Sequence, residues 1–234
     1  MKITAHRGNS NSTPENTIAA LKSAIEVGAD WAEIDVQETK DGELVVFHDD
    51  NLKRVTGINQ NTWEISYLEL NKLDAGNWFS PQFLGEKIPK LRDLMAVSRG
   101  KIKLNLELKL NGHQQSLTSR VVRLIQELNF VEHCAITSFD LATIEEVKVL
   151  DENICRGIIV QTLEEELLKL PVDIYAVHYS AISHEFIKQA HCQGKEVHVW
   201  TVDTQEDMQK MIGLGVDNIM TNRPKLLREI LNSK

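Results

Sequence analysis

Apolar and polar residues follow one another along the chain in two alternating patterns. Short apolar runs have the composition of β-strands, and the longer segments between them repeat their apolar residues at helical spacing. Strand-like runs lie at residues 3–7, 31–37, 44–48, 102–108, 135–139, 154–160, 174–179, 197–202 and 218–221. Helical patterns lie at residues 18–27, 91–97, 114–128, 141–150, 163–168, 183–193, 204–213 and 224–231. Strands that alternate with helices predict a parallel sheet with right-handed crossovers.

The second and third runs are connected by a tight turn instead of a helix. Residues 40–43 are Lys-Asp-Gly-Glu, and Gly42 supplies the positive φ that such a turn needs. The third run is therefore antiparallel to the second. A TIM barrel has eight strands, all parallel, and eight runs remain when 44–48 is set aside. The sequence predicts an α/β fold, a TIM (β/α)8 barrel with a β-hairpin and a small insertion after the second strand.

The stretch 51–89 interrupts the alternation. It carries Trp63, Tyr67, Trp78 and Phe79, which makes it too aromatic for a plain linker. We interpret it as an inserted subdomain or lid within a single barrel domain that spans residues 1–234. In the barrel it belongs to the crossover between the second and third barrel strands.

The start of the first helix has two interpretations. Thr13 is suited to be an N-cap, with Pro14 at the first helical position. Alternatively, the helix begins at Asn16 and Thr17. In both cases Gly28 is a suitable end for the helix.

Composition narrows the partners and the compartment. The formal net charge of −8 argues against a nucleic acid held by bulk electrostatics but leaves room for a local basic pocket. Hydrophobic residues make up 42% of the chain and charged residues 26%, as in a globular protein. Cys134, Cys155 and Cys192 form no CxxC pair, so we expect buried free thiols in a reducing compartment. The sequence shows no signal peptide or membrane-spanning run, and we expect a cytoplasmic protein with no membrane insertion.

Polar side chains collect at the ends of the predicted barrel strands. Active sites of TIM barrels lie at the C-terminal ends of the strands, so these residues are expected to share one rim. The strand ends carry His6, Arg7, Glu33, Asp35, Glu107, Lys109, Ser138, His178, Trp200 and Asn222, and the hairpin returns His48 beside Asp35. We expect Ser138 to line the site and His178 to be a packed core residue.

Two strand ends carry charged residues spaced two apart, Glu33 with Asp35 and Glu107 with Lys109. Residues two apart on a strand share a face, and like charges on one face repel unless a cation neutralises them. Ca²⁺ and Mg²⁺ prefer oxygen ligands. Taken alone, Glu33 and Asp35 are more typical of the solvent face of an amphipathic strand. For Glu107 and Lys109, the alternative to a functional site is a structural ion-pair layer. Convergence of both on one rim favours a metal.

The cations and imidazoles expected at the same rim complete a chemical pattern. Arg7 and Lys109 suit phosphate oxygens, and arginine can form a bidentate contact with them. His6 and His48 suit a general acid and a general base. With a divalent metal on the carboxylates, this set of groups predicts displacement at phosphorus.

The motifs resemble those of the glycerophosphodiester phosphodiesterase family, in order and over essentially the whole chain. They are His6-Arg7-Gly8, Pro14-Glu15-Asn16-Thr17, Glu33-Ile34-Asp35, Val46-Phe47-His48-Asp49, Glu107-Leu108-Lys109, Thr137-Ser138-Phe139, Val199-Trp200-Thr201 and Thr221-Asn222-Arg223-Pro224. The stretch 73–91 also resembles the small insertion of that family. One departure is Asn222, where many members of the family carry Asp.

The resemblance implies a TIM barrel of the phospholipase-C-like phosphodiesterase type. Its implied activity is hydrolysis of small glycerophosphodiesters, such as glycerophosphocholine or glycerophosphoethanolamine, to sn-glycerol 3-phosphate and an alcohol. The implied residues are the acid/base pair His6 and His48, the Ca²⁺ or Mg²⁺ ligands Glu33, Asp35 and Glu107, and the substrate contacts Arg7, Lys109 and Trp200. Glu15 and Asn16 would support the first loop.

Several alternatives stay open at the level of the sequence. A cyclising lyase of the same fold, a non-catalytic barrel that binds a phosphorylated ligand, and an aldolase with a Schiff base at Lys109 each share part of the pattern. The long aromatic insertion favours small water-soluble substrates over the lyase, and the paired histidines and carboxylates disfavour the other two. The sequence leaves open which alcohol departs and which metal is used. It also leaves open whether a cyclic phosphate forms as an intermediate and whether the protein is a homodimer.

Overall fold

The centre of the protein is a sheet of parallel strands closed into a barrel, in a computed structural model that describes residues 1–233. Within that range the strands are β1 (Lys2–His6), β2 (Trp31–Glu38), β3 (Leu44–Val46), β4 (Lys103–Leu108), β5 (Cys134–Ser138), β6 (Cys155–Val160), β7 (Ile174–His178), β8 (Glu196–Trp200) and β9 (Asn218–Thr221). The barrel order is β1-β9-β8-β7-β6-β5-β4-β2, and β1 pairs with β2 to close it. β3 pairs antiparallel with β2 outside the ring. The predicted TIM barrel with a hairpin after its second strand is confirmed.

The described helices are α1 (Ile18–Glu26), α2 (Lys53–Thr56), α3 (Tyr67–Leu70), α4 (Leu91–Ser98), α5 (Leu117–Glu127), α6 (Leu141–Leu150), α7 (His184–Cys192), α8 (Gln205–Leu214) and α9 (Pro224–Asn232). α1 begins after Thr17, whose hydroxyl accepts a hydrogen bond from the amide of Ala20, so the later of its two predicted starts is right. The α-helix predicted at 163–168 is wrong, because this segment is a short 3₁₀ helix, Glu165–Lys169. Pro171 lies two residues beyond it and disfavours the helical conformation at Leu170.

The interior of the barrel is polar at the C-terminal ends of the strands. Register pairs His6 with Glu33 on β1 and β2, and Asp35 with Glu107 on β2 and β4. Residues paired across parallel strands point to the same side of the sheet. The intervening Ile34 belongs to the hydrophobic core under the helices. Strand alternation therefore turns these four polar side chains into one interior mouth.

A second hydrophobic core lies beneath the hairpin. It is formed by Val45, Phe47, Leu52, Val55, Ile65, Leu70, Ala75 and Ile88. Alternation along β3 gives Val45 to this core and Val46 to the barrel core, so the hairpin joins the two. The description of residues 51–89 as an inserted subdomain of a single domain stays a prediction.

Two further expectations concern the whole chain. Across residues 1–233, no helix combines the length and the apolar character required to cross a bilayer. In the same range Cys134, Cys155 and Cys192 are free thiols. Only Cys134 is buried, so the expectation of buried thiols is wrong for the half-buried Cys155 and the exposed Cys192. Burial raises the pKa of the Cys134 thiol to about 12, which keeps it protonated and unreactive at neutral pH.

Candidate active site

The first loop turns sharply at the end of β1. Arg7 and Gly8 both have positive φ, 56° and 79°, and the Arg7 amide donates to Glu33 Oε2 at 2.9 Å. A Cβ on Gly8 would lie 2.7 Å from the backbone carbon of Ala20 in α1. The His-Arg-Gly sequence is therefore explained by a left-handed turn pressed against a helix, where only glycine fits.

Two side chains of the loop that precedes α1 form hydrogen bonds with the charged residues Arg7 and Asp35. Glu15 Oε1 accepts a hydrogen bond from Arg7 Nη1 at 2.9 Å. Asn16 also has positive φ, 58°, which asparagine tolerates better than most residues. Its Nδ2 donates to Asp35 Oδ2 at 2.8 Å, and its Oδ1 accepts from the Asp35 amide at 3.3 Å. The loop thus contacts both Arg7 and Asp35.

The hairpin carries His48 to the mouth of the barrel. The Phe47 amide donates to the Asp35 carbonyl at 2.9 Å, so Asp35 lies opposite Phe47, one residue from the predicted partner His48. Gln37 Nε2 then donates to the carbonyls of Phe47 and Asp49 at 2.8 and 2.9 Å, which curls the chain back over the mouth. His48 Nδ1 and Asp49 Oδ1 are 2.7 Å apart.

Three carboxylates meet at the floor of the mouth. Glu33, Asp35 and Glu107 each place an oxygen within 4.8 Å of the others. Glu33 and Asp35 are each only 1% exposed. Glu33 Oε1 has no hydrogen-bond partner among the described residues. Burial, reinforced by Asp35 and Glu107, raises the pKa of Glu33 well above its ordinary range.

Two cations stand among these carboxylates. Lys109 Nζ donates to Glu107 Oε1 at 2.7 Å and lies 3.7 Å from Asp35 Oδ1. Arg7 Nε is 3.4 Å from Asp35 Oδ2. Burial alone would raise the pKa of Asp35, but Arg7, followed by His48 and Lys109, lowers it. The negative charge of Asp35 is therefore compensated by neighbouring cations, whereas burial of a charge on Glu33 is not compensated in this way.

The trio fits a hard divalent cation. All three donors are carboxylates, the ligand type that Ca²⁺ and Mg²⁺ prefer. The buried Glu33 Oε1 without a partner is costly in the protein alone and would be satisfied by a cation. The residues present therefore match the group that the sequence predicts.

The two histidines lie on the walls of the pocket. His6 Nδ1 is 2.7 Å from Asn222 Oδ1, and its Nε2 is 3.9 Å from Glu33 Oε2. Burial, aided by the neighbouring Arg7, lowers the pKa of His6 to about 4. His48 is half-buried and lines the same cavity.

An aromatic edge closes the remaining side. Trp200 Nε1 donates to the Ala176 carbonyl at 3.0 Å, which fixes the indole. The rings of Phe139 and His178 meet it edge-on, with centroids at 5.6 and 5.2 Å. The expectation for His178 is wrong: it is half-buried at the rim and its Nδ1 pairs with Ser180 Oγ at 2.8 Å. His178 is the last residue of β7 and lies where the barrel core ends.

The structure brings the predicted residues into one place. A cavity of about 140 Å³ is lined by His6, Arg7, His48, Glu107, Lys109 and Trp200, among others. Glu33 and Asp35 lie beside it through their contacts to Arg7. Ser138 does not line it, because its side chain is buried and donates to the Leu108 carbonyl at 3.2 Å.

Two contributing residues were outside the predicted set. Arg54 of α2 donates to Glu15 Oε1 and to Asp49 Oδ2, both at 2.7 Å, and so ties the insertion to the first loop. Asp203 accepts from Asn222 Nδ2 at 2.6 Å. Arg54 lies in the irregular insertion, where periodicity gives no signal. Asp203 follows the end of β8 and was within reach of the strand-end rule.

The fold and the position of the pocket place this protein among the TIM-barrel enzymes that act at the C-terminal ends of their strands. The profile of the glycerophosphoryl diester phosphodiesterase family matches residues 6–226. The chain belongs to that family, and its enzyme class is glycerophosphodiester phosphodiesterase, a phosphoric diester hydrolase. Membership sets aside the Schiff-base aldolase and the non-catalytic binding barrel.

Individual relatives agree with this assignment. A glycerophosphodiester phosphodiesterase of Caldanaerobacter subterraneus subsp. tengcongensis is 37% identical over 231 residues, which cover 96% of this chain and 95% of the relative. One of Bacillus subtilis is 29% identical, with 97% and 85% covered. The structure of an Oleispira antarctica phosphodiesterase in complex with its product sn-glycerol-3-phosphate superposes with a TM-score of 0.91 at 28% identity, covering 99% of this chain and 97% of that one.

Proposed function

We propose that this protein hydrolyses small glycerophosphodiesters to sn-glycerol 3-phosphate and an alcohol, with a divalent cation and a pair of histidines. The observation that carries the proposal is the trio of carboxylates, of which Glu33 and Asp35 are buried and Glu33 Oε1 lacks a partner within residues 1–233. A trio this costly is expected where an ion completes it. The product bound by the Oleispira antarctica relative supports glycerol 3-phosphate as one half of the substrate.

The floor of the pocket supplies the electrostatic part of the reaction. Glu33, Asp35 and Glu107 would hold Ca²⁺ or Mg²⁺. When bound, such an ion acts as a Lewis acid toward a phosphoryl oxygen. Arg7 and Lys109 are positioned to bind the other phosphate oxygens, since both line the cavity. An ion on the carboxylates would weaken their present hold on these two cations and leave the cations available to substrate.

The walls of the pocket move the protons. His6, with its pKa lowered to about 4 by burial and by Arg7, is neutral near pH 7 and is suited to accept a proton from the attacking group. His48 faces the same cavity and takes the complementary role of donor to the leaving alcohol. Each histidine has Nδ1 occupied, by Asn222 and by Asp49 respectively, which leaves Nε2 for substrate.

The aromatic edge sets the shape of the substrate. Trp200 and Phe139 offer apolar surface beside the cationic groups, which suits the carbon skeleton of glycerol against the indole. A cavity of about 140 Å³ is on the scale of one glycerol phosphate. The departing alcohol, choline or ethanolamine in the simplest substrates, would point toward the open rim.

An enzyme-linked assay for release of sn-glycerol 3-phosphate tests the proposal. Glycerophosphocholine and glycerophosphoethanolamine are the substrates, with EDTA, with Ca²⁺ and with Mg²⁺. We expect release that depends on the added ion. Release that survives complete removal of metal would contradict the role of the carboxylates. A cyclic phosphate as the final product, visible by phosphorus NMR, would contradict hydrolysis.

Two expectations remain predictions alongside this proposal. One is a cytoplasmic location, which cell fractionation measures. The other is the oligomeric state, where a homodimer stays open and analytical ultracentrifugation decides.

A further inference from the structure

The imidazole of His6 is held by a side chain from the far end of the sequence. Its Nδ1 lies 2.7 Å from Oδ1 of Asn222, which follows β9. The Ser10 hydroxyl is 2.8 Å from both Asn222 Oδ1 and the His6 carbonyl and donates to one of them. The end of β1 and the first loop therefore both approach the amide oxygen of Asn222.

The orientation of that amide is set by a carboxylate. Asn222 Nδ2 donates to Asp203 Oδ2 at 2.6 Å. A carboxylate only accepts hydrogen bonds, so the nitrogen end of the amide must face Asp203 and the oxygen end must face His6. A carbonyl oxygen also only accepts. His6 must therefore carry its proton on Nδ1, and its Nε2 has a free lone pair.

Asp203 is itself held in one orientation. Its Oδ1 accepts from the Asn222 amide at 2.8 Å and from the Thr221 hydroxyl at 2.9 Å. The guanidinium of Arg223 lies 3.4 Å from its backbone carbonyl. Both carboxylate oxygens therefore accept from donors of Thr221 and Asn222, at the end of β9. The direction of each bond, from Asp203 to His6, is thus determined by the chemistry of the groups.

We propose that Asn222 and Asp203 are positioning residues that select the Nδ1–H tautomer of His6 and so present Nε2 as the proton acceptor. This inference rests on the proposed role of His6 in catalysis. The acceptor next to the imidazole is a neutral amide, and the charge of Asp203 lies one residue further away. Tautomer selection, rather than a charge in contact with the ring, is the contribution of the pair.

A reciprocal exchange of the two side chains tests the proposal. In Asp203→Asn, the Oδ1 position must stay oxygen because the Asn222 amide and the Thr221 hydroxyl donate to it. The new nitrogen then faces Asn222, whose amide must rotate and present its own nitrogen to His6. The tautomer inverts. Adding Asn222→Asp restores acceptors on both sides, so the double variant returns to the Nδ1–H form.

The readouts separate positioning from plain structure. We expect kcat to fall by roughly 10²-fold in Asp203→Asn with KM nearly unchanged, and to recover at least tenfold in the double variant. Asp217→Asn is the matched control, since Asp217 Oδ2 pairs with His191 Nε2 at 2.8 Å away from the pocket. It should keep wild-type kcat. Equal kcat in wild type and Asp203→Asn, or no recovery in the folded double variant, would overturn the proposal.

A measurement on the wild-type protein decides the matter even if a variant does not fold. The ¹⁵N shifts of the His6 ring, assigned with His6→Gln and recorded near pH 7.5 with Mg²⁺ present, report which nitrogen carries the proton. An Nδ1–H imidazole supports the proposal, and an Nε2–H imidazole overturns it. This readout does not use turnover. Loss of the phosphodiesterase assignment and loss of the positioning pair are therefore distinguishable.

Discussion

The two ends of the barrel carry the same kinds of charged residue, but they differ in how far these residues are buried and paired. At the N-terminal end Glu196 accepts from Lys2 at 2.7 Å and from His198 at 2.9 Å, and its side chain is 42% exposed. At the C-terminal end Glu33 is 1% exposed, and one of its oxygens is without a partner in the described chain. Glu196 lies on a barrel strand as Glu33 does, so position along the strands separates the two cases.

The contrast also shows in the acidities of the two groups. The hydrogen bond from His198 is the chief cause that lowers the pKa of Glu196 to about 2. Burial is the chief cause that raises the pKa of Glu33. The charged form of Glu196 is stabilised by partners within the protein, whereas that of Glu33 is destabilised and lies at the proposed metal site. Functional sites often retain such unfavourable groups at a cost in stability.

Cavity size alone would select the end opposite the proposed site. A cavity of about 510 Å³ opens at the N-terminal end, lined by Lys2, Trp31, Lys101, Lys103 and His133, among others. The pocket at the C-terminal end measures about 140 Å³. The smaller cavity adjoins the buried carboxylates, and the larger one is lined by exposed lysines. Buried charge with incomplete pairing is therefore the better guide to function here.

The largest difference between the two ends is expected from their histidines. His6→Ala or His48→Ala should fold and should lower turnover by on the order of 10²–10⁴, because a proton donor or acceptor is lost. His198→Ala is the matched control at the opposite end and should retain wild-type turnover. Circular dichroism checks folding, and sn-glycerol 3-phosphate release gives the rate. Wild-type turnover in both mouth variants would refute the acid/base assignment.

Exchanging each glutamate for its neutral isostere sharpens the contrast. Glu33→Gln should lower activity by on the order of 10²–10³, since an ion ligand worth several kcal/mol is lost. Without metal at pH 8, the same variant should be more stable by roughly 1–2 kcal/mol, which is about 2–8 °C in Tm for a domain of this size. Glu196→Gln should do the reverse, with normal activity and slightly lower stability.

The metal response of Glu33→Gln provides its control. Ca²⁺ or Mg²⁺ at 100 times its Kd should stabilise the wild type by about 2.7 kcal/mol. The variant should respond much less at the same concentration. Calorimetric scans with and without the ion measure both effects. A variant that loses stability without metal, or that responds to the ion as the wild type does, would argue against a ligand role for Glu33.

Backbone strain at the two ends gives the next smaller effect. Gly8→Ala places a Cβ 2.7 Å from the Ala20 carbon at a φ of 79°, and we expect a loss of roughly 2–4 kcal/mol from crowding and strain together. Gly100→Ala has a similar φ of 70°, but the new Cβ meets no atom of residues 1–233 within 4 Å. Its loss should be roughly 1 kcal/mol, from strain alone. Equal losses in urea unfolding would mean that the contact with α1 is not tight.

The barrel is predictable from the sequence because the signals for its strands and helices are local. Alternation within each strand and helical spacing within each helix are properties of neighbouring residues, and they located every barrel strand to within a few positions. The strand-end rule then collected His6, Glu33, Asp35 and Glu107, because closure of a parallel barrel brings all the ends to one side. Their assembly thus follows from the topology.

Contacts between loops could not be predicted from these local patterns. The hairpin register differs by one residue because its loop, 39–43, has an odd number of residues, so pairing centres on Asp41 rather than between Asp41 and Gly42. The contact of His6 with Asn222 joins residues 216 positions apart. No periodicity specifies which side chain of one loop meets another. Such pairs depend on the three-dimensional packing of the rim.

The smallest effect lies at the N-terminal end and concerns pH. The folded pKa of Glu196 is about 2, below its ordinary value of 4.5. A depressed carboxyl pKa stabilises the fold above the ordinary pKa, and this contribution is lost as the pH falls through the folded value. Because the side chain is 42% exposed, we expect less than about 1 kcal/mol. The excess stability of wild type over Glu196→Gln in urea titrations should therefore be constant above about pH 5.5 and shrink toward pH 3. In a His198→Ala background this pH dependence should weaken, because the largest cause of the lowered Glu196 pKa is gone. A stability excess of wild type over Glu196→Gln that grows on acidification would contradict this account of Glu196 and His198.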